Sequence, residues 1–303
     1  MIRVCFSTLG CPDWTWQKIL DSGPAAGFDG VEIRLLAGET DLLARPEFQP
    51  SELPRRRTDL ANAGFEVAVL ASSVRFDYPD AAERKRQLET GRAYLRLAAE
   101  LGAPMVRVFG DVFPDQADEA ARQTILDQVS DGLNQLGETA AELGRTVVIE
   151  THGDFAASAW MDRLFQQVTS PAVGVLWDTH HPWRFYGEDP AETFARLQPY
   201  VRHTHWKDSV ARPQQELKED SRQAEEQARS LMSGHKPADY VLFGGGEFPA
   251  LDCMQLLQRA GYDGWYSLEW EKAWHPEIED PEVALPLFPT KIRQLARFAA
   301  ALS

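Results

Sequence analysis

The sequence predicts an α/β protein of the (β/α)8 barrel class, and three observations carry that expectation. Short runs rich in β-branched and aromatic apolar residues alternate with longer stretches at helical spacing, and the alternation repeats eight times. Glycine stands just past several of the helical stretches, at Gly27, Gly64, Gly102, Gly144 and Gly261, where a left-handed residue ends a helix. Four of the strand-like runs end in a carboxylate or an imidazole, as expected where the C-terminal ends of barrel strands share one face. An open doubly wound sheet is the competing arrangement, but no G-x-G-x-x-G follows the first strand and no P-loop motif is present.

Each element has its own signal. Residues 2–7 read as the first strand and 14–27 as its helix; 29–35 begin the second strand, followed by a helix over 51–63. Residues 65–73 form the third strand, 80–101 a long amphipathic helix, 105–110 the fourth strand and 116–143 its helix. The fifth strand is Thr146-Val-Val-Ile-Glu150, with a helix expected over 155–168. Residues 173–178 are the sixth strand, 190–197 a shorter helix and 201–206 the seventh strand. From 209 to 246 the rhythm breaks: Gln, Glu, Arg and Lys abound, and a solvated insertion closing on Gly244-Gly-Gly246 is expected. A helix over 249–260, an eighth strand over 265–270 and a closing helix over 286–302 complete one expected domain spanning 1–303.

Bulk properties narrow the function. With 303 residues, of which 44% are hydrophobic, the chain can bury a large core. A formal net charge of −15 opposes a nucleic-acid partner, which needs clustered Lys and Arg. Cys5, Cys11 and Cys253 form no CxxC pair and are expected to be packing residues in a reducing compartment. No apolar run approaches a membrane span, and the first residues enter a strand pattern at once, so a cytoplasmic protein with no membrane partner is expected.

The run ending at Glu150 organises the site. A carboxylate at the tip of a strand buried on both faces needs a compensating cation or donor. Glu150, Asp178, His205 and Glu269 stand at four strand ends and converge in a barrel. Three carboxylates and one imidazole, without thiolates, suit one divalent ion, Mn²⁺ first and Mg²⁺, Co²⁺ or Zn²⁺ after it.

Glu150 in V-I-E-T-H, Asp178 in W-D-T-H-H, His205 in H-T-H-W-K-D and Glu269 in S-L-E-W resemble the strand-end motifs of the sugar-phosphate isomerase/epimerase superfamily. This is the xylose-isomerase-like TIM barrel group that includes ketose 3-epimerases, hydroxypyruvate isomerase, inosose dehydratase and endonuclease IV. Gly30-Val-Glu32-Ile-Arg34 and Gly244-Gly-Gly-Glu247 extend the resemblance over nearly the whole chain. It implies that Glu150, Asp178, His205 and Glu269 hold one divalent metal, that Glu150 and Glu269 also form an acid/base pair, and that His181 lies beside the substrate. Arg212 stands one position later than the substrate-binding Arg of those enzymes. The endonuclease branch carries a metal-binding His after strand four, where this chain has Gly110-Asp111.

The implied chemistry is α-proton abstraction from a small sugar, sugar acid or related polyol ketone. A metal chelated by a carbonyl and its neighbouring hydroxyl stabilises the enediolate; Glu150 and Glu269 then exchange protons, giving isomerisation or epimerisation. Loss of a β-hydroxyl gives an inosose-dehydratase-like lyase instead, and a non-catalytic barrel with a vestigial metal site is the third reading. A homo-oligomer is compatible with all three. Around this set, His203 is a ligand, a substrate contact or a support behind His205, and His152, on the same face as Glu150, is a substrate contact or a hydrogen-bonded spectator. Glu271 competes with Glu269 as ligand. Lys207 either holds a substrate oxyanion or pairs with Asp208, Glu32 and Arg34 read as a barrel-mouth pair, and Gly244-Gly-Gly246 can serve as an anion nest. Trp14, Trp16, Trp183, Trp206, Trp270 and Trp274 lie near tips where rings pack against sugars.

Overall fold

The computed structural model describes residues 2–211 and 238–302. The strands are β1 (Arg3–Ser7), β2 (Gly30–Ile33), β3 (Glu66–Arg75), β4 (Met105–Phe109), β5 (Thr146–Glu150), β6 (Val173–Asp178), β7 (Val201–Trp206), β8 (Asp208–Val210), β9 (Asp239–Val241) and β10 (Trp265–Leu268). Eight of them close into one barrel in the order β1-β10-β7-β6-β5-β4-β3-β2, every neighbouring pair parallel. The helices are α1 (Trp16–Ala25), α2 (Leu53–Ala63), α3 (Ala81–Leu101), α4 (Glu119–Glu142), α5 (Ser158–Phe165), α6 (His181–Tyr186), α7 (Pro190–Leu197), α8 (Ala250–Arg259) and α9 (Pro281–Leu302).

The period of two along each strand decides what enters the barrel. Val147 and Ile149 of β5 join the large core shared with the helices, whereas Val148 joins a smaller cluster with Cys5, Ala68, Val69, Ala71, Met105, Leu176 and Trp265 inside the barrel. Glu150 follows Val148 by two, Asp178 follows Leu176 by two, and Glu269 follows Trp265 by four, so the polar residues occupy the next layers above this apolar plug. Trp265 also explains Gly30: a Cβ there would sit 2.7 Å from the indole and 2.6 Å from the Glu66 carbonyl oxygen.

Three local expectations need correction. The helix expected over 155–168 is a 3-10 turn at Gly153–Ala156 followed by the shorter α5, because Gly153 takes φ +57° against the Asp111 backbone. A short α6, not expected, starts at His181. The ends of the 209–246 insertion are not solvated: β8 pairs antiparallel with β9, and Ser209, Ala238, Tyr240 and Phe243 are buried. Residues 212–237, Arg212 among them, lie outside the described residues.

The Gly244-Gly-Gly246 turn is a nest whose anion is internal. Asp208 accepts backbone N–H bonds from Ser209, Gly244, Gly246 and Phe248 at 2.8–3.1 Å. Asp208→Ala strands the buried N–H groups of Ser209 and Phe248 and frees those of the exposed Gly244 and Gly246, and a loss of about 2 kcal/mol of stability is expected in chemical denaturation. The three cysteines are free and buried, and burial pushes each thiol well above its ordinary value. Since the thiolate is the reactive form, the native protein at mildly alkaline pH should take up no iodoacetamide at these positions, with labelling appearing only on unfolding.

Candidate metal and substrate site

One donor atom from each of Glu150, Asp178, His205 and Glu269 lies within 4.8 Å of every other, and all four residues are buried. The neighbouring strands set this convergence: β6 and β7 place Asp178 opposite His205, and β7 and β10 place His205 opposite Ser267, two residues before Glu269. His205 Nδ1 stands 3.1 Å from Glu269 Oε2, 3.6 Å from Glu150 Oε1 and 3.8 Å from Asp178 Oδ2.

The other imidazole nitrogen is committed. His205 Nε2 donates to Glu32 at 2.9–3.0 Å, and His203 Nε2 donates to the same carboxylate at 2.9 Å. Glu32 therefore pairs with two histidines across the barrel rather than with Arg34, and His203 supports this pairing from below. Burial alone would raise the Glu32 carboxyl; His205 and His203 hold it well below the usual carboxylate range. Anchoring Nε2–H leaves Nδ1 as the lone-pair donor facing the carboxylates, the tautomer that metal coordination requires.

Asp178 is oriented by its own backbone. Its Oδ1 accepts the N–H groups of His180 and His181 at 2.9 Å each, so Oδ2 turns to the site. Burial, the largest influence, pushes its carboxyl up to about 7, and Lys207 opposes the rise. Lys207 is not a surface residue and does not pair with Asp208. Its alternation after His203 and His205 carries it inside, where Nζ lies 2.8 Å from Asp178 Oδ2 and 2.6 Å from Glu271 Oε1 and also contacts Glu269. Burial would lower the Lys207 ammonium, but Asp178, Glu269 and Glu271 hold it well above its ordinary value. Lys207 Nζ also donates to His181 Nε2 at 2.9 Å, while His181 Nδ1 donates to the Thr151 carbonyl at 3.0 Å. Burial first and Lys207 second keep His181 neutral.

His152 lines the same cavity and bonds Asp111 at 2.9 Å; Asp111, at φ +68°, also accepts from Arg75 at 2.6 Å. Glu269 faces His205, whereas Glu271 groups with His181 and Glu269 around Lys207. Of the six tryptophans weighed as sugar platforms, Trp16, Trp206 and Trp270 are buried packing residues, and Trp274 lines the site. The cavity beside Glu150 and Glu269 is about 30 Å³ and is bounded by Leu9 and Trp274. Sequence reading passed over Arg107, Asp111 and His180. The signal for Arg107 was present: it stands between Met105 and Phe109 on the inward face of β4.

The donor set suits a divalent cation. Among the described residues, Glu150 Oε2, Asp178 Oδ2 and His205 Nδ1 are buried without a well-aligned hydrogen bond. Burial would lower the His205 imidazole, yet Glu269, Glu32 and Glu150 hold it well above its ordinary value, so Nδ1 would present its lone pair once a bound cation displaces the proton there.

A barrel with acidic and imidazole donors at its C-terminal strand ends defines a class, and the comparisons agree. The model of the xylose isomerase-like TIM barrel family matches residues 23–288, and the chain belongs to that family. Its similarity to the inosose dehydratase of Lacticaseibacillus casei is 26% identity over 277 residues, 90% of this chain and 85% of that protein. The inosose dehydratase of Geobacillus thermodenitrificans is 30% identical over 174 residues, 56% of this chain but only about half, 53%, of that protein. An L-ribulose 3-epimerase structure superposes with a TM-score of 0.74 at 16% identity, covering 100% of this chain and 97% of that one, a likeness of fold.

Proposed function

We propose that the chain is a divalent-metal-dependent enzyme that removes the proton α to a carbonyl of a small carbohydrate or polyol ketone and then expels a β-hydroxyl, a lyase. The single observation that carries the reading is the convergence of Glu150, Asp178, His205 and Glu269 with the Lys207–His181 hydrogen bond beside them. Glu150, Asp178, His205 and Glu269 would hold the ion, with Mn²⁺ favoured by three oxygens and one nitrogen. When bound, the ion supplies Lewis-acid polarisation of the substrate carbonyl.

The chain's own groups carry the protons. Glu150 accepts the α-proton, and the C–H electron pair moves into the enediolate. As the enediolate re-forms its carbonyl, its electron pair makes a double bond between the α and β carbons, the β C–O bond breaks, and Lys207 Nζ donates a proton so that the hydroxyl leaves as water. The enol left at the α carbon then ketonises, losing its O–H proton to solvent and taking a solvent proton at the former β carbon. Glu150 returns its proton to solvent and Lys207 regains one, with His181 Nε2 hydrogen-bonded to the ammonium to hold its orientation. The likeness to inosose dehydratases supports dehydration over the isomerase or epimerase outcome.

The epimerase reading has its own support in the second carboxylate: Glu269, 3.1 Å from His205 Nδ1, stands beside Glu150, 3.6 Å from the same nitrogen, so a proton can return from a second group. The two outcomes separate in D₂O with Mn²⁺ and a panel of inososes, ketoses and keto sugar acids followed by mass spectrometry. Deuterium uptake with loss of water is the expected result. Uptake without water loss moves the assignment to the epimerase, and no uptake with any member contradicts enolisation.

A further inference from the structure

The tetrad, Lys207 and His181 leave two cations of the same cavity unused. Arg34, just past β2, and Arg107, on β4, are both buried, and both line the space bounded by Glu150, His181 and Glu269. Arg34 Nη1 and Arg107 Nε and Nη1 are buried with no hydrogen-bond partner among the described residues. The nearest carboxylate to Arg107 is Glu150, 3.3 Å from Nε without hydrogen-bond alignment and already part of the tetrad. Arg107 is held in place by stacking on Phe109, its carbon 3.9 Å from the ring centre.

Two adjacent buried guanidinium groups with open N–H donors are unfavourable alone. Burial, and then the neighbouring Arg107, bring Arg34 down to about 10. An anion between them removes both penalties, and the planar fork of donors matches a carboxylate best.

We propose that Arg34 and Arg107 form a clamp for a carboxylate on the substrate, so that the substrate is a keto acid of the polyol type rather than a neutral polyol ketone. A phosphate is disfavoured because the Gly244–Gly246 glycine nest is filled by Asp208. This deepens the enolising reading above and rests on it for the identity of the reacting centre.

The test uses ligands that cannot react. Quinate and myo-inositol are cyclohexane polyols with and without a carboxylate, and neither has a ketone, so their binding reports on the clamp and not on the chemistry. Isothermal titration calorimetry of the full chain, with Mn²⁺ and at fixed ionic strength, should show quinate binding at least about tenfold more tightly than myo-inositol. In the Arg34→Gln, Arg107→Gln double variant that preference should fall to about one. Equal affinity of the wild-type protein for the two ligands, or a preference that survives both substitutions, overturns the clamp. The wild-type comparison stands even where the double variant fails to fold. Because D₂O exchange on ketones is measured separately, failure of enolisation and failure of the clamp give different patterns.

Discussion

Replacing Glu150 by Gln should reduce turnover by ~10²–10⁴-fold while leaving the fold intact. The amide keeps the shape and one oxygen donor but cannot accept a proton at neutral pH, so the loss falls on the proton-transfer step. Glu150 is buried beside Arg107 and His205, and Gln places a neutral group there without creating a cavity. Metal affinity should fall less than turnover does, because three of the four donors remain. Steady-state kinetics combined with metal titration of the same preparation checks this. Wild-type α-proton exchange in a metal-loaded Glu150→Gln protein removes Glu150 as the base and leaves Glu269 or His181 as the candidate.

The second large effect concerns strand β7. His205→Ala should lose most of its metal affinity, whereas His203→Ala should lose only the ~10–100-fold typical of a group that supports a ligand from behind. The distinction follows from the Glu32 carboxylate. Both histidines donate Nε2–H to it, but only His205 turns Nδ1 toward Glu150, Asp178 and Glu269. Glu32→Gln should resemble His203→Ala, since it frees the His205 tautomer without removing a donor. Competition against a fluorescent chelator measures all three. Equal losses in the two histidine variants mean that the ligand on β7 has been misassigned.

Much of this arrangement is legible in the sequence because a strand's period of two is rigid. Once Val147-Val-Ile149 reads as a buried strand, Glu150 must stand at its end, and the same holds for Asp178 after Val175-Leu-Trp177. The parts that escaped are those that depend on which strand lies across the barrel. Glu32 and His205 are 173 residues apart, and nothing local distinguishes a Glu that pairs with the nearby Arg34 from one that receives two histidines. Lys207 was legible as a candidate for the site, but its partners were not: a Lys beside an Asp also reads as a surface pair, although the inward phase of His203 and His205 carries it into the core. The glycine turn at 244–246 was legible as a nest, but its occupant, Asp208, comes from a strand 36 residues earlier. The 3-10 turn before α5 follows from a backbone contact between Gly153 and Asp111 that no periodicity records.

The most direct measurement of the central claim is the number of divalent ions bound by each chain, by equilibrium dialysis against Mn²⁺ with elemental analysis of the wild-type protein and His205→Ala. One ion per wild-type chain and almost none in the variant is the result predicted by a single site at Glu150, Asp178, His205 and Glu269. No bound ion in the wild-type protein, or several ions that survive loss of His205, contradicts it.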